Sequence, residues 1–100
     1  MEITFVKKIL ANGELCQKCN DVSNRLETDG VLPLINHIVI AEENDANSIG
    51  MKLAKQHQVE RAPFFLVEDE AGKITIYDVY FKLKKELIEK GLLAATKSKV

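Results

Sequence analysis

Cys16 and Cys19 are the only cysteines in the 100-residue chain. They stand in the stretch GELCQKCNDV, residues 13–22, with two residues between them. Two thiols this close suit three kinds of chemistry: a reversible disulfide, part of a metal site, or a covalent staple. In redox chemistry the attacking species is the thiolate, so the first cysteine must be reachable and its negative charge stabilised. Cys16 falls where a strand gives way to a helix, and the unpaired N–H groups and dipole of a helix start favour an anion. Lys18, between the cysteines, places a positive charge nearby. Cys19, one turn on, is close enough to attack a mixed disulfide on Cys16 and release the partner. In this reading Cys16 is the nucleophile, Cys19 the resolving thiol, and Lys18 tunes the pair electrostatically.

A metal site needs further ligands. His37 and His57 are the only histidines, and their separation does not match the three to five residues of a zinc finger. No metal ligand is assigned on that basis. Copper(I) held by two thiolates alone fits the chemistry of soft ligands, which keeps a thiol-based metal carrier as an alternative. A staple of this spacing closes too small a ring to constrain much unfolded chain.

The elements that would position the pair follow from local patterning. ITFVKKIL, residues 3–10, is rich in β-branched and aromatic side chains and predicts a strand, followed by an Asn-Gly turn signal. From Cys16 to about Glu27, Cys19, Val22 and Leu26 recur at helical spacing, and Asp29-Gly30 ends the helix. HIVIA, residues 37–41, reads as a short buried strand. A helix is expected from about Asn47 to His57 with Ile49, Leu53 and Ala54 inward, Gly50 being tolerated at a cost of about 1 kcal/mol relative to Ala. PFFLVED (63–69) and ITIYDV (74–79) read as a hairpin around EAGK. YFKLKKELIEKGLL (80–93) reads as a helix with Leu83, Leu87 and Ile88 on one face. The order β-α-β-α-β-β-α describes one α/β domain over residues 1–93, with a polar tail at 94–100.

Composition narrows the partners. Apolar residues at 46% and charged residues at 29% suit a globular domain. A formal charge of -1 lacks the basic excess that nucleic-acid binding requires. No apolar run approaches the roughly 20 residues of a bilayer span, and MEITFVKKIL lacks the basic start of a secretory leader. A cytoplasmic monomer without membrane association is expected. In that reducing compartment a close cysteine pair is more often catalytic or metal-binding than structural.

VERAPFFLVEDE, residues 59–70, adds the second feature. A proline opening a strand has a purpose if the preceding bond is cis, because the chain then turns sharply and leaves the Ala62 backbone free to pair with an extended substrate. The plainer alternative is that Pro63 protects a strand edge. With Cys16-Gln17-Lys18-Cys19 after the first strand and Arg61-Ala62-Pro63-Phe64-Phe65 entering the hairpin, the chain resembles the thioredoxin-like superfamily, and within it small bacterial glutaredoxin-like proteins. The resemblance covers Ile3 to about Leu92. It implies a four-stranded mixed sheet flanked by three helices, a nucleophilic Cys16, a resolving Cys19, a cis Pro63, and a substrate groove bordered by Arg61, Ala62 and Pro63. The implied function is a thiol–disulfide oxidoreductase, a reductase or electron carrier acting on a protein disulfide, with no cofactor. The fold also hosts redox-silent interaction modules, the remaining alternative. The chain departs from the family pattern in having no Trp, in Gln17-Lys18 between the cysteines, and in YDVYFK (77–82) where glutaredoxins place a glycine pair that holds glutathione.

The redox reading predicts a reversible Cys16–Cys19 disulfide with a potential between about -180 and -270 mV, the interval from isomerase to thioredoxin. Equilibration against glutathione buffers measures it, and a pair that stays reduced under mildly oxidising conditions would favour the metal-carrier or adaptor alternatives.

Overall fold

The computed structural model describes residues 1–60 and 62–93. The expected order is observed: β1 (Glu2–Ile9), α1 (Gln17–Thr28), β2 (His37–Glu42), α2 (Ile49–Gln56), β3 (Phe64–Glu68), β4 (Ile74–Tyr77) and α3 (Tyr80–Glu89). The four strands form one mixed sheet in the order β2-β1-β3-β4. β1 runs parallel to β2 and antiparallel to β3, and β3 and β4 form the antiparallel hairpin. The polar tail lies outside the described residues.

Alternation along β1 sends its side chains to two separate cores. Ile3 and Phe5 join Phe65, Val67, Leu26, Leu83 and Leu87 on the face covered by α1 and α3. Val6 joins Ala41, Phe64 and Leu66 on the face covered by α2. Phe5 and Phe65 are register partners whose rings stack with centroids 4.8 Å apart, a contact worth about 0.5–1.5 kcal/mol beyond the area it buries.

α1 ends as its residues dictate. Gly30 takes φ +76, and the Val31 N–H returns to the Leu26 carbonyl at 2.9 Å, the closing bond of a Schellman turn. Its cap residue, Asp29, also ties α1 to α3. The Tyr80 hydroxyl donates to the Asp29 carboxylate at 2.8 Å, with Lys84 at 3.2 Å and Arg25 at 3.6 Å. Burial works against the charge of Asp29, yet Tyr80, Lys84 and Arg25 together hold its carboxyl below the usual range. Burial, then Asp29, pushes the Tyr80 phenol upward.

Three expectations are corrected. β2 is not a buried strand: it lies at the sheet edge, α2 covers only the Val39 and Ala41 face, and Ile38 on the other face is 48% exposed. α2 starts at Ile49 rather than Asn47, and Ile49 is 64% exposed because it sits at the helix entry; Leu53 and Ala54 pack on the core as expected, with Met51 beside them. Strand and helix ends also shorten, β4 stopping at Tyr77 and α3 at Glu89.

Gly50 is a further correction, since it is required rather than tolerated. A Cβ there would meet backbone atoms of Ile40 and Ala41, the Ala41 Cα at 2.6 Å. Because these are strand backbone, they cannot swing aside. Gly50→Ala should therefore destabilise the fold by about 1–3 kcal/mol, the usual cost of overpacking, although propensity alone would favour Ala in a helix. Urea denaturation measures the change, and a variant as stable as the parent would show that α2 does not need this approach to β2.

Candidate functional site

The cysteine pair is held by the backbone of one residue, Lys8. Along β1, the odd-numbered residues bond toward the β2 side: the Ile3 carbonyl accepts from Asn36 and the Ile9 carbonyl from Glu43. Lys8 therefore faces the other way, toward β3. The β1–β3 ladder, however, ends at Val6–Phe64, so β3 offers Lys8 no partner. The cysteines supply one. The Cys16 N–H donates to the Lys8 carbonyl at 3.1 Å, and the Lys8 N–H donates to Cys19 Sγ at 3.2 Å.

Cys16 is the N-cap of α1, with extended φ and ψ of -64° and 144°. Its sulfur accepts the Cys19 N–H at 3.2 Å, taking the place that a Ser or Asp oxygen fills at other helix starts. The two sulfurs are not equivalent. Both are free thiols, Cys16 half-buried and Cys19 with 0% exposure. Burial, then a hydrogen bond to Cys16, pushes the Cys19 thiol up to about 12, against the opposing influence of the Lys8 N–H.

The cation that favours the Cys19 thiolate is Lys7, on β1, a residue that sequence spacing did not single out. Its signal was available only through topology, because β1 and α1 pack side by side. Lys18, expected to tune the pair, is exposed and also lies on the wall of a groove.

That groove, of about 310 Å³, runs between α1 and the start of α3. Lys18, Val22 and Arg25 line one side, Val79 and Phe81 the other, and Phe65 lies between them. Pro63 also lines it, so the groove opens at the end of the sheet where the thiols are. The Ala62–Pro63 peptide is cis, and Pro63 is buried. By register, Ala62 is the residue that would have faced Lys8 had the ladder continued. Among the described residues its backbone has no hydrogen-bond partner. Arg61 lies outside the described residues.

The histidines stand apart from the thiols. His37, at the start of β2, is 3.6 Å from Glu2, and His57 caps the C-terminus of α2. Among the described residues no group of three or more His, Cys, Asp or Glu side chains is arranged to hold a metal ion. No helix among them is long and apolar enough to cross a membrane. Comparison of the chain with protein-family models, curated proteins and solved structures finds no match.

The inequality of the thiols is open to a direct test. A raised value keeps Cys19 protonated below its folded-state figure, so at pH 8 iodoacetamide should modify Cys16 quickly and Cys19 only when the molecule opens. Because the unfolded thiol titrates near 9.0 and the folded one near 12, the native state holds a proton that the unfolded chain releases. The associated stability is complete below pH 9 and is lost as pH rises toward 12. Peptide mapping after timed alkylation reads the first part; two thiols modified at similar rates would contradict this description of the pair.

Proposed function

We propose that the chain is a thiol–disulfide oxidoreductase of the thioredoxin-like kind, acting as a reductase or electron carrier on a protein disulfide. The observation that carries the reading is the asymmetry of the pair: a half-buried Cys16 capping a helix, and a fully buried Cys19 one turn behind it. The strand order and the three helices are compatible with a thioredoxin-like fold. A metal carrier has less support, because a sulfur with no exposure is poorly placed to receive and pass on an ion.

In the proposed reaction the Cys16 thiolate attacks one sulfur of the substrate disulfide. The Cys16–substrate bond forms as the substrate S–S bond breaks, and the first substrate sulfur leaves as a thiolate that takes a proton from solvent. Cys19 then loses its proton and attacks Cys16 Sγ. The Cys16–Cys19 bond forms, the Cys16–substrate bond breaks, and the second substrate sulfur leaves with a proton equivalent to the one Cys19 gave up. Two electrons pass from the dithiol to the substrate, which ends as two thiols.

The buried thiol suits this order of events. Part of what holds the Cys19 proton is the hydrogen bond to Cys16 and the charge on Cys16. Once Cys16 is in a mixed disulfide, that charge is gone, while the Lys8 N–H and Lys7 remain to favour the Cys19 thiolate. The first step thus eases the second. The unpaired Ala62 backbone beside Pro63 offers an extended substrate main-chain hydrogen bonds.

The two thiols predict two different variants. Cys19→Ser should perform the first step and stop, accumulating a stable mixed disulfide with its target. Cys16→Ser should trap far less, because its remaining thiol is buried. Non-reducing gels of each variant, exposed to oxidised protein extract, give the comparison. A metal carrier would lose binding equally in both, and equal trapping by the two variants would count against the oxidoreductase reading.

A further inference from the structure

The groove beside the thiols has a chemistry of its own. Phe81 is 61% and Val79 43% exposed, although both stand next to an apolar floor at Phe65 and Val22. Apolar surface left open to water costs about 25 cal/mol per Å², and a concave apolar patch of this kind marks a binding surface more often than a surface accident. Phe81 is also off the stripe formed by Leu83 and Leu87, which faces the core, so packing of α3 does not account for an aromatic side chain there. The walls are held by contacts between the helices: Tyr80 at the start of α3 is tied to Asp29, the cap of α1, at 2.8 Å, and the Arg25 guanidinium lies over the Phe81 ring at 5.2 Å.

Charge at the groove selects against a carboxylate ligand. Lys18 and Arg25 are matched by Asp21 and Asp78 in the same lining. Arg25 is already engaged by Asp29 and Phe81. Two cations and two anions leave no net attraction for an anion such as glutathione, and each of its carboxylates would approach a wall that carries an aspartate. A neutral apolar group meets no such cost. The groove begins beside the turn that carries the thiols, since Lys18, between the cysteines in sequence, and the cis Pro63 are among its lining residues.

We propose that the groove between α1 and α3 seats a bulky apolar side chain near the reacting cysteine of a protein substrate, and so selects such a segment over glutathione. This rests on the reading of Cys16 and Cys19 as a redox centre. Phe81 acts as the specificity-determining contact, and Val79 extends the same surface. A substrate whose cysteine reaches Cys16 would run its neighbouring residues across the groove mouth, where an aliphatic or aromatic side chain covers what Phe81 and Val79 expose.

The test compares single-turnover reduction of three disulfides by the pre-reduced protein, and repeats it with Phe81→Ser. The substrates are a peptide disulfide with Leu and Phe flanking its cysteine, the same peptide with Gly and Ser flanks, and glutathione disulfide. The parent protein should reduce the apolar-flanked peptide at least about tenfold faster than either other substrate, the factor that about 1.4 kcal/mol of differential contact produces. Phe81→Ser should erase most of that preference, bringing the rate on the apolar-flanked peptide toward that on the Gly/Ser peptide. Equal rates of the parent protein on all three substrates, or a preference that survives Phe81→Ser, would overturn the groove proposal and leave the oxidoreductase reading standing. Failure to reduce any of the three would remove both. The comparison among substrates needs no variant, so a poorly folded Phe81→Ser cannot obscure it.

Discussion

The N–H and C=O of Lys8 have to be satisfied on the side of β1 that β3 leaves after Phe64, and the cysteine pair depends on that requirement. Buried backbone groups without partners are costly. Here the carbonyl takes the Cys16 N–H and the N–H gives itself to Cys19 Sγ. Both cysteines are thus fixed to one residue of the central sheet, while the turn of α1 fixes them to each other through the Cys19 N–H and Cys16 Sγ. A fourth participant, the cis Ala62–Pro63 peptide, lies where the ladder would have continued. The place where sheet pairing stops is therefore the place where the sulfurs begin.

Around this point the two faces of the sheet have separate tasks. On the α1 and α3 face, Phe5 and Phe65 stack at the centre, Leu26, Leu83 and Leu87 close over them, and Asp29 locks the two helices together at one end. That lock joins the end of α1 to the first turn of α3, beside the groove that Val79 and Phe81 line. On the other face a single short helix, α2, comes so close to β2 that only a glycine fits at position 50. Lys8 connects the faces, since its backbone holds the thiols while its side chain pairs with Glu43 at 3.1 Å in the loop after β2.

The electrostatics of Cys19 follow from burial more than from neighbouring charge. Desolvation is the first cause of the raised Cys19 value, and the hydrogen bond from Lys8 and the charge of Lys7 only oppose it. In the proposed reaction, a Cys19 that stays protonated until Cys16 is engaged would not compete for the first attack. His37 and His57 stand at the other end of the sheet, His37 in register with Thr4 and His57 beside Glu2 and Thr4, away from the thiols at Lys8.

Much of this was legible in the residues alone. The β-branched and aromatic content of ITFVKKIL, the three-and-four spacing of Cys19, Val22 and Leu26, and the Asp29-Gly30 stop are local signals, because backbone geometry within one element depends on near neighbours. They determined the element order and placed Cys16 at a helix start. What the chain could not declare locally depended on contacts between elements distant in sequence. HIVIA has the composition of a central strand, but whether a strand is covered on one face or two depends on its place in the sheet. Gly50 looks like a weak helix residue until β2 is laid against it. Lys7 and the Lys8 backbone become part of the site only because β1 and α1 lie side by side, and Phe81 becomes a groove wall only because Asp29 draws α3 against α1. Local spacing singled out the two thiols as candidates; tertiary packing decided which of them is buried, which is reachable, and what surrounds them.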